Sequence, residues 1–203
     1  VIGVGHRTSS LEKATKMHAI DIGTLNSEEA VKDADIVILA TSVNKIIDTA
    51  KKIIPFMKRN AILTDVGSTK KYIVEQISHN TRKDIAFVGA HPIAGSEQRG
   101  VEFASADLFE GCTCIVTPIG NHTKDVETIS HLWQLLGAKI IYLTPEQHDE
   151  ILVFVSHLPH LVASCLINSI KKEYLVCRAS GLRDTTRVAS GDPELWADIF
   201  CQN

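Results

Sequence analysis

No run of about 18 uninterrupted apolar residues occurs, so the sequence predicts no simple membrane span. Charge of one sign is not in excess either: 21 Lys+Arg stand against 24 Asp+Glu, a formal charge of −3. No block of basic residues offers a footprint for nucleic acid or an anionic membrane. An anionic small molecule must then be held by individually placed Arg or Lys. No signal peptide is expected, and there are no internal repeats and no low-complexity tract. Cysteine is sparse and odd in number. Cys112, Cys114, Cys165, Cys177 and Cys201 have no disulfide-scaffold spacing, which predicts a reduced, cytoplasmic protein.

A complete G-x-G-x-x-G is also missing. Gly3-Val4-Gly5-His6-Arg7-Thr8 begins like one, with Thr8 where the third Gly belongs. Only Val1 and Ile2 precede it, too little for the strand that the fingerprint requires.

What is present points to an α/β fold. Hydrophobic residues make up 44% of 203, enough for a sizeable core. Strands are expected at 1–4, 34–40, 61–66, 86–90, 112–117 and 138–143. Helices are expected at 10–18, 43–54, from Gly67-Ser68 to about 79, and at 122–136. Strands alternating with helices argue a doubly wound, mostly parallel sheet. After Pro145 no strand follows. Residues 146 to about 173 read as one long helix that Pro159 should bend or divide. Asp192-Pro193 then starts a last helix, with Asp as cap and Pro at the first helical position. The domain change is placed near residue 145: 1–145 a dinucleotide-binding unit, 146–203 an all-helical one.

In this register residues 1–4 form the second strand of a Rossmann unit whose first strand and phosphate loop lie outside the sequence. The residues after that strand face the adenosine ribose, and they include Arg7 and Thr8 but no carboxylate. An Arg there accommodates a 2′-phosphate, which favours NADP over NAD. Arg7 as an ordinary solvated residue is the competing reading. Thr41 and Ser42 end a neighbouring strand, where turn chemistry and cofactor contact are equally good explanations.

Phe87-Val88-Gly89-Ala90-His91-Pro92 delivers one imidazole to a strand's carboxyl end, where ligands of open α/β sheets bind. Pro92 and Gly95 are expected to stop the pairing. His91 is suited to accept a proton near neutral pH, although a lone His after a strand is more often structural. Ser68 sits at a strand-to-helix turn, where helix capping alone would account for it. His157 and His160 share a helix face, but no third ligand at a metal-site spacing accompanies them. In 180–187, Arg183, Asp184 and Arg187 suit either a solvated loop or a carboxylate clamp with Asp184 orienting an Arg.

Several motifs occur in one order: Asp65-Val66-Gly67-Ser68-Thr69-Lys70, Gly89-Ala90-His91-Pro92-Ile93-Ala94-Gly95-Ser96-Glu97, and Leu108-Phe109-Glu110-Gly111. They continue with Val155-Ser156-His157-Leu158-Pro159-His160, Gly181-Leu182-Arg183-Asp184-Thr185-Thr186-Arg187, and Gly191-Asp192-Pro193-Glu194-Leu195-Trp196. With them the chain resembles the prephenate and arogenate dehydrogenases of tyrosine biosynthesis, shortened at both ends.

The resemblance implies an NAD(P)-dependent oxidative decarboxylation in a homodimer formed through the helical part. It implies His91 as acceptor for the substrate 4-hydroxyl, with Ser68 orienting it. It further implies Arg187 on a substrate carboxylate, with His160, Arg183, Ser96 and Trp196 around the substrate. Ala40, Thr41, Ser42 and Gly67 fall on the cofactor side. Glu97 is a candidate partner for the ammonium of arogenate. Ser42 departs from the family pattern, where proline is common. Two other classes compete. A β-hydroxyacid dehydrogenase needs a catalytic lysine in the helical part, but Lys171 and Lys172 lie late in the long helix. An inactive ligand-binding relative would be expected to lose part of the set Ser68, His91 and Arg187.

Overall fold

The computed structural model describes residues 1–95, 100–120 and 122–203. Two parallel strands, β1 (Ile2–Val4) and β2 (Ile22–Thr24), are joined through helix α1 (Thr8–Lys16). A short helix α2 (Ser27–Ala30) leads away from them. A separate five-stranded sheet has the order β3 (Ile36–Leu39), β4 (Ile62–Asp65), β5 (Ala86–Ile93), β6 (Thr113–Thr117), β7 (Lys139–Tyr142). Only the β5–β6 pair is antiparallel. Among the described residues β1 pairs only with β2 and β3 only with β4, so each keeps one edge unpaired. The mostly parallel sheet is as the alternation of strands and helices predicts. Strand β2 is not foreseen, because three residues without a flanking apolar run give no periodicity to read.

Side chains of the central strands alternate between two faces. Leu39, Leu63 and Phe87 pack under α3 (Val43–Ile53) and α4 (Lys71–Asn80), against Ile46, Ile53, Ile73 and Ile77. Ile62, Val88, Ala90, Cys114 and Val116 pack on the other face, against Ile129 and Trp133 of α5 (Thr123–Leu135). Burial of each large aliphatic side chain contributes about 1.5–3 kcal/mol. Helix α5 stops where Gly137 takes φ of 87°, a conformation that L side chains avoid.

Beyond β7, α6 (Pro145–Leu152), a wide π turn (Val153–His157) and α7 (Leu158–Ser169) form one continuous helical stretch of 25 residues. Pro159 explains the π turn. It has no N–H for the carbonyl of Val155, and its ring crowds that carbonyl. The stretch ends at Ser169, short of the expected 173. A 3-10 segment (Lys172–Cys177), α8 (Ser180–Thr186), a 3-10 turn (Arg187–Ser190) and α9 (Pro193–Gln202) complete the chain. The polar run 180–187 is thus helical, not a loop. Asp192 caps α9, its carboxylate accepting from the amides of Glu194 and Leu195 at 2.8 and 3.2 Å. Ile199 of α9 joins the core beneath α3, which ties the end of the chain to the sheet.

By length and composition the 25-residue stretch is apolar enough to cross a membrane, which corrects the expectation from uninterrupted runs alone. Its buried residues include His148, Asp149, His157 and His160, whereas Phe154, Val155 and Val162 are more than half exposed. Polar groups turned inward on an apolar helix mark a site; an outward apolar face marks a contact surface.

Candidate active site

The parallel pairing of β4 to β5 ends at Thr64 and Val88, whereas β5 continues against β6 as far as Ile93. His91 therefore stands beyond the last rung between β4 and β5, with Ile115 of β6 as its cross-strand partner. The strand does not stop at His91 as expected. The antiparallel neighbour carries it through Pro92, which pairs with Cys114. Since Val88 and Ala90 face α5, alternation turns His91 toward α4 and α6.

There His91 meets His148 of α6. His91 Nδ1 lies 2.9 Å from His148 Nε2, and the rings are tilted by 54°. His148 Nδ1 lies 2.7 Å from Asp149 Oδ1. Asp149 in turn accepts the backbone N–H groups of Lys70 at 2.7 Å and Lys71 at 3.0 Å. It thereby caps α4 from 79 residues away in sequence. This overturns the capping role considered for Ser68, which lies in the loop before α4 and is partly buried. The dipole of α4 adds to the attraction for the Asp149 carboxylate.

Beneath this chain of contacts lies a fully buried ion pair. Lys70 Nζ is 2.5 Å from Asp65 Oδ2 and also donates to the Thr69 carbonyl at 3.1 Å. Asp65 accepts the N–H of Gly67 at 2.9 Å and that of Ala90 at 3.3 Å. Gly67 has no room for a side chain, because a Cβ would sit 2.8 Å from Asp65 Oδ2 and from Ile46 Cδ1. A buried ion pair offsets its desolvation only when further hydrogen bonds serve it; here Asp65 receives three donors and the Lys70 ammonium reaches two acceptors.

Burial, then the positive charge of Lys70, then His148 and His157, push His91 well below the ordinary imidazole value of 6.5. Burial also lowers His148, against the pull of Asp149. Burial opposes ionisation of Asp149, but His148 and the amides of Lys71 and Lys70 outweigh it, holding the carboxyl below its usual range. Burial pushes the thiol of Cys114 up to about 12, which leaves it inert as a nucleophile.

A second group of rings comes from the helical part. His160 of α7 stacks on Trp196 of α9 at 3.6 Å and 13°. His157 meets the same indole edge-on at 6.2 Å. His160 is buried, and its Nδ1 has no hydrogen-bond partner. Asn203 ties this group to the first, its amide contacting His157 Nδ1 at 3.2 Å and donating to the Asp149 carbonyl at 2.9 Å. The turn that starts at Arg187 packs on α7. Arg187 is exposed, as are Arg183 and Asp184. Asp184 pairs with Arg183 at 3.8 Å, both side chains more than 70% exposed. Such a pair contributes at most about 1 kcal/mol and is a poor orienting device. Ser96 and Glu97 lie outside the described residues.

Among the residues expected to face a cofactor, Ala40 is exposed at the end of β3. Thr41 carries a buried hydroxyl oxygen with no partner. Ser42 occupies the cap position of α3 without a side-chain cap bond. Arg7 and Thr8 are exposed where β1 passes into α1. A cavity of about 700 Å³ between α1 and β2 is lined by Thr8, Leu11, Thr15 and Thr24, and none of the histidines reaches it. Lys171 and Lys172 are exposed beyond the end of α7, which removes the lysine that a β-hydroxyacid dehydrogenase would need there.

Sequence reasoning missed His148 and Asp149, and it noted Asp65 and Lys70 only as part of a motif. No local signal separates them, because His148 and Asp149 stand among the equally polar Glu146, Gln147 and Glu150 at the start of the long helix, and only burial distinguishes them.

Comparison with known proteins gives a consistent answer. Residues 1–142 match the family model for the prephenate dehydrogenase nucleotide-binding domain, and residues 144–203 match that for the prephenate dehydrogenase dimerization domain. The cyclohexadienyl dehydrogenase of Zymomonas mobilis is 32% identical over all of this chain and 80% of its own length. The prephenate dehydrogenase of Bacillus subtilis is 34% identical over all of this chain, which spans 57% of that relative's length. Among solved structures, prephenate dehydrogenase from A. aeolicus, in complex with hydroxyphenyl propionate and NAD+, superposes with a TM-score of 0.91. It is 34% identical over 98% of this chain and 72% of its own.

Proposed function

Because the chain belongs to the prephenate dehydrogenase family, we propose that it catalyses the nicotinamide-dependent oxidative decarboxylation of prephenate, with arogenate as the alternative substrate. The observation that carries this reading is the imidazole of His91, placed beyond the last rung between β4 and β5 and 2.9 Å from His148, where burial and the charge of Lys70 favour its uncharged form. An uncharged imidazole is what an alcohol oxidation needs, since the hydroxyl must lose its proton as the adjacent carbon loses hydride.

The residues at the end of β3 fit a nicotinamide dinucleotide, because the Thr41 hydroxyl oxygen is buried without a protein partner. Arg7, Thr8, Ala40, Thr41, Ser42 and Gly67 would hold it, and when bound it takes up the hydride. The exposed guanidinium of Arg7, with no carboxylate beside it in sequence, favours the 2′-phosphorylated form.

His91 accepts the proton of the carbinol hydroxyl as hydride leaves the same carbon. The bond to the ring carboxylate then breaks. Its electron pair enters the ring, carbon dioxide departs, and the aromatic phenolate recovers the proton from His91. Ser68 orients the hydroxyl toward the imidazole. Arg187 holds a substrate carboxylate through two parallel hydrogen bonds. Arg183, Ser96, His160 and Trp196 complete the substrate side, with the His160–Trp196 stack as a rigid wall. Aromatisation makes the reaction strongly favourable, so the protein's main task is positioning. The exposed apolar residues Phe154, Val155 and Val162 suit contact with a second copy through residues 146–203. Five free thiols suit a reducing cytoplasm.

The direct test crosses prephenate and arogenate with NAD and NADP in the full-length protein. Turnover is expected with at least one substrate, and NADP is expected to be the better cofactor. No turnover in any of the four combinations overturns the reading. The pH profile is a further check. A base whose pKa is lowered stays active until pH falls through that lowered value. The acidic limb of kcat/KM is therefore expected below pH 6.5. A limb above pH 6.5 would show that His91 is not the group that titrates.

A further inference from the structure

We propose that His148 and Asp149 form a positioning relay that fixes His91 as the tautomer with hydrogen on Nδ1, so that Nε2 presents its lone pair to the substrate hydroxyl. The inference rests on the function proposed above and adds two residues to it. It follows from counting protons along three contacts. Ionised Asp149 is acceptor-only. Its two oxygens already receive the amides of Lys70 and Lys71, so it is held as a carboxylate. The 2.7 Å contact from His148 Nδ1 to Asp149 Oδ1 must therefore carry its hydrogen on Nδ1. A neutral imidazole has one ring hydrogen, so His148 Nε2 is an acceptor. The 2.9 Å contact to His91 Nδ1 then closes only with the hydrogen on His91. That leaves His91 Nε2 bare.

The opposite polarity needs His148 doubly protonated. His148 is fully buried, and the ammonium of Lys70 bears on it from the loop before α4. The charged groups around the pair are Lys70 and Asp65 from the β4 side, Asp149 on α6, and His157 when protonated in the π turn; the Cys114 thiol on β6 stays neutral. Lys70 is already committed to Asp65, which leaves Asp149 as the anion that sets the proton order. The wrong tautomer would offer the substrate hydroxyl an N–H instead of a lone pair. In serine hydrolases the equivalent error, made by amidation of the aspartate, costs about 10⁴ in rate.

The test compares His148→Gln with His148→Leu in the full-length protein. Gln places an amide oxygen near the position of Nε2 and can accept from His91 Nδ1, whereas Leu fills the volume and accepts nothing. His148→Gln is expected to keep kcat within a few-fold. His148→Leu is expected to lose roughly 10²–10⁴-fold in kcat with little change in KM. Asp149→Asn is expected to lower kcat and to move the acidic limb of the pH profile to lower pH, since an anion that favours protonation is removed. A merely structural role would leave that limb in place. Imidazole ¹⁵N spectra of the resting protein read the tautomer with no turnover required, and His91 is expected to carry its hydrogen on Nδ1.

Hydrogen on His91 Nε2 in the unmodified protein would overturn the relay, as would equal kcat for His148→Leu and His148→Gln. If the unmodified protein turns over no cyclohexadienol but His91 is protonated on Nδ1, the relay stands and the functional reading falls.

Discussion

His91→Asn is expected to lower kcat by about 10²–10⁴-fold, a barrier increase of about 3–5 kcal/mol. The amide nitrogen of Asn falls close to the place of His91 Nδ1, so the contact to His148 can persist. What is lost is a group able to take up a proton. The residues proposed to bind the dinucleotide, Arg7, Thr41 and Gly67, lie at other strand ends, so its Kd is expected to stay within about threefold. The split between kcat and Kd separates a lost base from a damaged fold. Steady-state kinetics with prephenate, beside a direct titration of the cofactor, provides both numbers. An unchanged kcat would remove His91 from the chemistry.

Asp65→Ala is expected to destabilise the protein by about 3–5 kcal/mol, the usual consequence of leaving one partner of a buried ion pair uncompensated. Both side chains of the pair have no exposure. The substitution strands the Lys70 ammonium together with the N–H groups of Gly67 and Ala90. At about 2–4 °C per kcal/mol for a chain of this size, Tm should fall by roughly 10 °C. Adding Lys70→Met to Asp65→Ala removes the stranded charge, so part of the loss should be recovered. Urea unfolding of the single and double variants measures this. A single-variant loss under 1 kcal/mol, or no recovery in the double, would show that water reaches Lys70 and that the pair is not a structural keystone.

The sheet was legible because its central strands are covered on both faces. Among the expected runs 34–40, 61–66 and 86–90, residues 62–65 and 86–90 are buried throughout, whereas the first is the edge strand β3, with Ile38 exposed, and was legible from its apolar composition alone. Strand β2 left no such trace, since Ile22 and Gly23 are exposed and its three residues follow no apolar run. The extension of β5 past His91 was equally hidden. It depends on an antiparallel neighbour that arrives twenty residues later, against the local stop signal of Pro92.

The site was only half legible for a related reason. His91 and Ser68 stand at strand ends that motif and pattern both pick out. The groups that set the state of His91 come from elsewhere in the chain: His148 from 57 residues away, and Asp149 reaching the start of α4 from 79. Local rules assigned the capping of α4 to Ser68, a reasonable guess that a distant carboxylate displaced. In the long helix the hydropathy pattern could not single out the buried polar groups, because His148 and Asp149 are buried while their polar neighbours Glu146, Gln147 and Glu150 are exposed.

The central claim is that hydride removal and loss of carbon dioxide belong to one reaction organised around His91. Simultaneous measurement of carbon dioxide released and nicotinamide reduced, with prephenate and the full-length protein, tests it most directly. The account predicts one carbon dioxide for each reduced nicotinamide, both abolished together by His91→Asn. Reduced nicotinamide without carbon dioxide, or carbon dioxide at an undiminished rate in His91→Asn, would contradict it.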